Sequence, residues 1–390
     1  MFRVPHGFAQ PLDEVDHERS RAATAPLRIA MVSARYLPFM GGTEAHVHEV
    51  TSRLARLGHS VTILTTDPTE KLPQEESVAG VRIVRVRTWF GDADYYYAPG
   101  IYRNLTEGDW DLVHIQGYHT FVAPLAMLAA IRKRVPFVLT FHSGGHSSRL
   151  RKALRKLQSA LLSPLVRRAH QLIGVSEFEA EFFSKSMGVP RSRFVVVPNG
   201  AHLPAAPSAD QSSDHRLIIS IGRLEKYKGH HRAIEAMPKL LWRFPDLQLR
   251  VLGTGPYEGE LRVMVRKLRL DRHVTIGAIP PSERQALASL LSRAAVVVLL
   301  SEYEAHPVAV MEALYLRRKV LTSDTSGFRE LAEKGLVRTV SLQSTTIEIA
   351  SAIADELTAP PQSADFVLPD WSQCAAKLDD IYKTVVQRAA

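Results

Sequence analysis

The chain has 390 residues, 45% of them hydrophobic and 23% charged. That balance excludes general disorder and leaves room for two domains with sizeable cores. Cys374 is the single cysteine, which excludes an intramolecular disulfide and a cysteine-rich metal site and fits a reducing, cytoplasmic setting. The net charge of +9 favours anionic partners: nucleotide phosphates, an acidic membrane surface or nucleic acid.

Residues 1–26 carry acidic side chains and no apolar run of signal-peptide length, and read as a flexible N-terminal segment. From Leu27 onward, short β-rich runs alternate with amphipathic stretches. Strands are predicted at Leu27–Ser33, Val61–Thr66, Val81–Arg87, Asp111–Gln116, Phe137–Phe141, Leu172–Val175 and Phe194–Pro198. Helices are predicted at Glu44–Leu57, Phe121–Arg134 and Glu177–Met187. Runs such as IAMV, FVVV and VVVLL are continuous, as in strands buried on both faces of a parallel sheet. The stretch 201–215, rich in Ala, Pro, Ser and Asp without periodicity, predicts a linker. Strands then resume at Leu217–Ile221, Leu247–Leu252, Val274–Ile276, Val296–Leu300 and Lys319–Ser323, and a helix is predicted over 370–390. The longest apolar runs, Pro124–Ile131 and Ala294–Leu300, fall well short of the roughly 20 residues that span a bilayer. This alternation predicts two doubly wound α/β units, with ligands bound where their strand ends face each other.

Three segments carry candidate chemistry. Gly41-Gly42-Thr43-Glu44 follows the first strand; its glycines admit a ligand close to the backbone, and the helix it opens favours anions. A tight turn with no ligand reads equally well. Gly222–Gly229 holds Arg223 and Lys228 between a strand and the next helix, where fixed cations would neutralise a departing diphosphate. In Ser301–Leu314, Glu304 ends a strand, Pro307 suits a first helical turn, and Glu312 follows on that helix. The spacing lets both carboxylates border one pocket, or lets them be a helix-dipole acid and an incidental one.

Together these segments resemble the retaining glycosyltransferases of family four, which adopt the GT-B fold. The resemblance runs from Leu27 to the end of the chain. It rests on the Gly-Gly-Thr-Glu loop, Thr140-Phe141-His142, Val197-Pro-Asn-Gly200, Gly-Arg-x4-Lys-Gly, Leu-Gly-x-Gly-Pro around Gly253 and Gly255, and Glu-x7-Glu. It implies two Rossmann-like domains whose parallel sheets face a deep interdomain cleft: 27–200 for the acceptor, 216–369 for the nucleotide-sugar donor, and a C-terminal helix returning toward the first. Arg223 and Lys228 would hold the diphosphate. Glu304 and the backbone of Ala305, His306, Pro307 and Val308 would meet the sugar, and Glu312 the ribose. Gly41, Gly42, Gly253 and Gly255 would line the donor, and His142 would stand beside the reacting sugar. Metal and cofactor are expected to be absent, the donor to be a UDP-sugar, and the transferred group a hexose or N-acetylhexosamine.

Two positions depart from the family pattern. Ala305-His306-Pro307 replaces a Gly-Phe-Gly-like segment, and Arg317-Arg318-Lys319 replaces a Gly-x-Pro turn. On the acceptor side, Thr43, Glu44, Asp92, Asp94, Tyr95 and His142 are the candidates. The Gly91–Tyr97 loop is read as stacking on rings and attracting amines, as an aminocyclitol, another natural product or a cell-envelope glycan would require. His114 and His306 are weaker histidine candidates. The basic stretch Arg149–His170 puts Leu150, Leu154, Leu157 and Leu161 on one helical face, suiting either a peripheral membrane contact or packing on the first domain. No nucleic-acid motif accompanies the charge. A sugar-nucleotide epimerase and a non-catalytic anion- or membrane-binding protein remain as alternatives.

Overall fold

The structure, a computed structural model, describes residues 25–39, 41–89, 96–142, 149–204, 214–360 and 366–389, excluding the side chains of 149–157 and 214–215. Asp92, Asp94 and Tyr95 lie outside the described residues. The first half forms an eight-stranded sheet, β3-β4-β2-β1-β5-β6-β7-β8. Its strands are β1 (Arg28–Ser33), β2 (Ser60–Asp67), β3 (Glu75–Val78), β4 (Val81–Arg87), β5 (Leu112–Gln116), β6 (Phe137–Thr140), β7 (Gln171–Gly174) and β8 (Phe194–Val196). All pair in parallel except β3, which is antiparallel to β4 at the edge. Five helices accompany it: α1 (Gly42–Arg56), α2 (Pro99–Glu107), α3 (Val122–Lys133), α4 (Arg149–Val166) and α5 (Glu177–Met187). The pleat divides β1 between two cores. Ala30 and Val32 pack with residues of α2 and α3, while Ile29 and Met31 pack with α1.

The second half is a six-stranded parallel sheet, β11-β10-β9-β12-β13-β14. Its strands are β9 (Asp214–Ile221), β10 (Gln248–Leu252), β11 (Val274–Gly277), β12 (Ala294–Leu299), β13 (Lys319–Ser323) and β14 (Arg338–Val340). Here α6 (His230–Arg243), α7 (Glu258–Lys267) and α11 (Thr346–Thr358) cover one face. The other face carries α8 (Arg284–Arg293), α9 (Val308–Tyr315) and α10 (Ser326–Glu333). The strand β12, AAVVVL, is buried at every residue because helices cover both its faces.

The last helix, α12 (Trp371–Ala389), crosses back to the first sheet: Trp371, Leu378, Tyr382 and Val385 share a core with Ile29, Met31 and α1. The two crossing connections touch where Ala201 N–H donates to Pro369 O at 2.9 Å.

The structure corrects the sequence reading in several places. The edge strand β3, the helix α2 and the strand β14 were not anticipated. Within the expected linker 201–215, Ala201 and Leu203 are buried in the second domain's core, and β9 starts at Asp214. The helix over Arg149–His170 ends at Val166; of its described side chains, Leu162, Leu165 and Val166 pack on the first domain's core and Leu161 is exposed. The side chains of Leu150, Leu154 and Leu157 lie outside those described. No helix among the described residues is long and apolar enough to cross a membrane.

Candidate functional site

The carboxyl ends of β9, β10 and β12 carry the loops of interest. Backbone bonds from Gly222 N–H to Leu252 O and from Leu224 N–H to Thr254 O, both 2.9 Å, clamp the Arg223 loop against the loop that follows β10. Gly253 and Gly255 serve that clamp. A Cβ at either would lie 1.9 and 2.5 Å from the carbonyl oxygens of Gly222 and Leu224. Their contacts are thus with the chain's own backbone, which explains two glycines there without any ligand.

Lys228 and Glu304 meet directly, Nζ to Oε1 at 2.5 Å, and both are largely buried. Ser301 Oγ donates to the same carboxylate oxygen at 2.8 Å, and the Glu304 amide donates to Ser326 Oγ at 2.8 Å. Burial opposes a charge on Lys228, but the adjacent Glu304 more than offsets it and holds the ammonium above its ordinary pKa. Arg223 is half-exposed and ion-paired with Glu225.

Glu312 is held by a basic side chain from α8. It is buried on α9, with Oε1 2.6 Å from Arg284 Nη2; burial raises its pKa and Arg284 works against that rise. Arg284, Ser301 and Ser326 were not singled out in the sequence. Arg284 is one of 49 basic residues and lies 28 positions from Glu312, so no local pattern marks it.

The first domain faces this loop set. Gly42 backs onto the Val308 side chain, and Val308 lies in the core built around α1 and α12. The His306 carbonyl accepts from Asn199 Nδ2 at 2.7 Å, and Asn199 Oδ1 lies 2.9 Å from His46 Nδ1. The His46 ring packs edge-on against His142 at 4.7 Å, and His142 Nε2 lies 2.6 Å from Gln116 Oε1. Hydrogen bonds therefore run from the His306 carbonyl through Asn199 to His46, and a ring contact continues from His46 to His142. Gly41 leads into α1, and Thr43 is partly exposed on its first turn.

Two further positions have internal partners. Glu44 is buried and ion-paired with Arg35 at 3.3 Å, its carboxylate folded back under Gly41, so it is an internal group. His114 is fully buried between Tyr382 Oη and Thr140 Oγ1, at 2.5 and 2.7 Å. The Arg317-Arg318-Lys319 departure lies at the entry to β13, opposite the carboxyl ends of the strands. There Arg317 stacks on Phe366 at 4.3 Å and Lys319 Nζ donates to Ala359 O at 2.8 Å. Those charges stay away from the cleft.

Burial pushes His46 and His230 down to about 4. A histidine depressed in the fold stabilises it above the unfolded pKa of 6.5 and loses that contribution as pH falls toward 4. Each is expected to remove on the order of 1–2 kcal/mol of stability by pH 5. The urea midpoint should fall between pH 7 and pH 5, and the fall should shrink in His46→Gln.

Two family models match along the chain: Glycosyltransferase Family 4 over residues 40–203, and Glycosyl transferases group 1 over residues 206–367. The chain belongs to the family-four glycosyltransferases. It is 29% identical to a glycogen synthase of Mycobacterium tuberculosis over 365 residues, 86% of this chain and 87% of that protein. It is 28% identical to a phosphatidyl-myo-inositol mannosyltransferase of Mycolicibacterium smegmatis, covering 92% and 94% of the two chains. Among solved structures, the sucrose-phosphate synthase of Thermosynechococcus elongatus superimposes with a TM-score of 0.71 at 19% identity, over 92% and 99% of the chains. The fold is GT-B and the protein is a glycosyltransferase, which removes the epimerase and non-catalytic readings. Among the described residues, no three His, Cys, Asp or Glu side chains converge as a metal site.

Proposed function

We propose that this glycosyltransferase moves a hexose or N-acetylhexosamine from a UDP-sugar to a hydroxyl of a polyhydroxylated acceptor, with retention at the anomeric carbon. The contact between Lys228 and Glu304 at the carboxyl ends of the second sheet's strands carries this reading. It puts a cation for phosphate and a carboxylate for sugar hydroxyls within one hexose diameter. On donor binding, Lys228 exchanges Glu304 for the diphosphate, beside Arg223, and Glu304 accepts from the sugar hydroxyls freed to it. The amides of Ala305–Val308 face the same sugar, and Glu312, held by Arg284, accepts from the ribose. As the C–O bond to the diphosphate breaks, charge grows on oxygens that the two cations already face. The acceptor oxygen bonds to the anomeric carbon from the face the diphosphate leaves, and its proton passes to the leaving phosphate. The cations supply the neutralisation that a metal would otherwise provide.

The two curated relatives are named for a polysaccharide and for an inositol lipid, both polyhydroxylated, which supports a saccharide or polyol acceptor over an apolar one. A natural-product aminocyclitol and a cell-envelope glycan both fit that class. Trp89, Tyr97 and Phe121 add to this: they are 66%, 36% and 50% exposed, and they lie beyond the carboxyl ends of β4 and β5. Aromatic faces there suit a pyranose or cyclitol ring. Phe121→Ala and Trp89→Ala are expected to raise the acceptor KM about tenfold while leaving UDP affinity unchanged, as measured by initial rates and calorimetry.

A thermal-shift panel of nucleotide sugars, followed by mass-spectrometric acceptor screening with the best donor, tests the function. NMR of the product's anomeric coupling tests retention. A chain stabilised by no nucleoside diphosphate sugar would refute the donor assignment.

A further inference from the structure

Gln116 ends β5 and His142 follows β6, so adjacent parallel strands bring the two side chains together. We infer that Gln116 is a positioning residue that holds His142 as the Nε2–H tautomer and leaves Nδ1 to accept a hydrogen bond from a substrate hydroxyl. The inference rests on the reading of the cleft as the transfer site and deepens it.

The orientation of the Gln116 amide is set by its other neighbour. Its Nε2 lies 3.0 Å from Met31 Sδ, and a thioether accepts but cannot donate, so the amide nitrogen faces the sulfur and the oxygen faces His142. An amide oxygen only accepts. At 2.6 Å from it, His142 Nε2 must carry the proton.

Burial, reinforced by His46, His114 and His119 around it, holds the His142 pKa well below the ordinary value. The ring therefore keeps one proton near neutral pH, and Nδ1 keeps its lone pair. The same condition makes His142 a poor proton acceptor, which fits a role in orienting a hydroxyl and leaves the acceptor proton to the phosphate.

Gln116 is itself braced. Its Nε2 lies 3.2 and 3.4 Å from the two ring nitrogens of His114, against that buried ring. His114 Nδ1 in turn lies 2.5 Å from Tyr382 Oη of α12. The C-terminal helix thus reaches the cleft histidine through His114 and Gln116.

The test is NMR of the full chain labelled with ¹⁵N-histidine, with His142→Gln assigning the resonance, beside steady-state kinetics with UDP-sugars. The expected wild-type spectrum has Nε2 protonated and Nδ1 bare from about pH 6 to pH 8. Gln116→Leu should give tautomer-averaged shifts and a kcat lower by on the order of 10- to 100-fold, with donor KM little changed. Gln116→Glu should restore the Nε2–H tautomer, raise the His142 pKa and add a new limb to the pH–rate profile. This second variant also covers the case in which the leucine variant folds poorly. A wild-type Nδ1–H tautomer, or an unchanged tautomer in Gln116→Leu, would overturn the inference whatever the activity. The described tautomer in a chain that turns over no nucleotide sugar would instead refute the functional reading alone.

Discussion

Lys228→Ala is expected to lower kcat by about 10²–10³-fold, the usual loss when one preorganised group facing developing charge is removed. The structure adds a second consequence. Glu304 lies buried against Lys228, so the truncation leaves a carboxylate without its cation, at a cost of about 3 kcal/mol. Ser301 still donates to the carboxylate and moderates that loss without replacing a charge. The two effects separate in the double variant Lys228→Ala/Glu304→Gln. Removing both charges should return stability to within about 1 kcal/mol of the parent, because an uncharged amide no longer needs the ammonium. Turnover should stay low, since neither the phosphate nor the sugar regains its partner. Denaturant unfolding and steady-state rates on the same samples give both numbers. A single variant that turns over at the parental rate would remove Lys228 from phosphate binding.

Gly229→Ala should be more damaging than its size suggests. Gly229 has φ +74° and stands as the cap between the Lys226–Lys228 turn and α6, a backbone region where a side chain costs about 1 kcal/mol. The added Cβ would also lie 2.0 Å from Leu300 O and 2.5 Å from Leu300 C. Those are backbone atoms at the end of the central strand β12, so no flexible side chain can move aside. Either β12 or the Lys228 loop must shift, and the expected loss is about 3 kcal/mol or more, together with nucleotide affinity. Gly259 is the internal control: it is helical, and nothing lies within 4 Å of its added Cβ. Gly259→Ala should be neutral or stabilising by about 0.5–1 kcal/mol. Equal urea midpoints for the two variants would show that the close approach at Leu300 is not a constraint.

Much of this architecture is legible along the chain because it rests on local periodicity. Continuous apolar runs such as Val296–Leu299 mark strands covered on both sides, and their alternation with amphipathic segments leaves a doubly wound sheet as the economical arrangement. The strands that escaped notice are short and polar. The edge strand β3, EESV, is half-exposed, and β14 has only three residues. Such segments owe their conformation to the neighbour they pair with. Within the linker stretch, Ala201 and Leu203 look like loop residues until the second domain's core covers them.

The candidate site divides along the same line. The residue types and their order belong to the sequence: two cations after one strand, two carboxylates around another, and a histidine at the end of a third. Partner choice belongs to the tertiary structure. Lys228 finds Glu304 across 76 positions, Glu312 is held by Arg284, and Glu44 turns inward to Arg35. His142 is bound to Gln116, and through His114 to a tyrosine near the end of the chain. Periodicity is a property of neighbours along the chain and survives in a linear reading. A buried charge or hydrogen-bonding group takes whatever partner folding brings within about 3 Å, and only the packed chain decides which one that is.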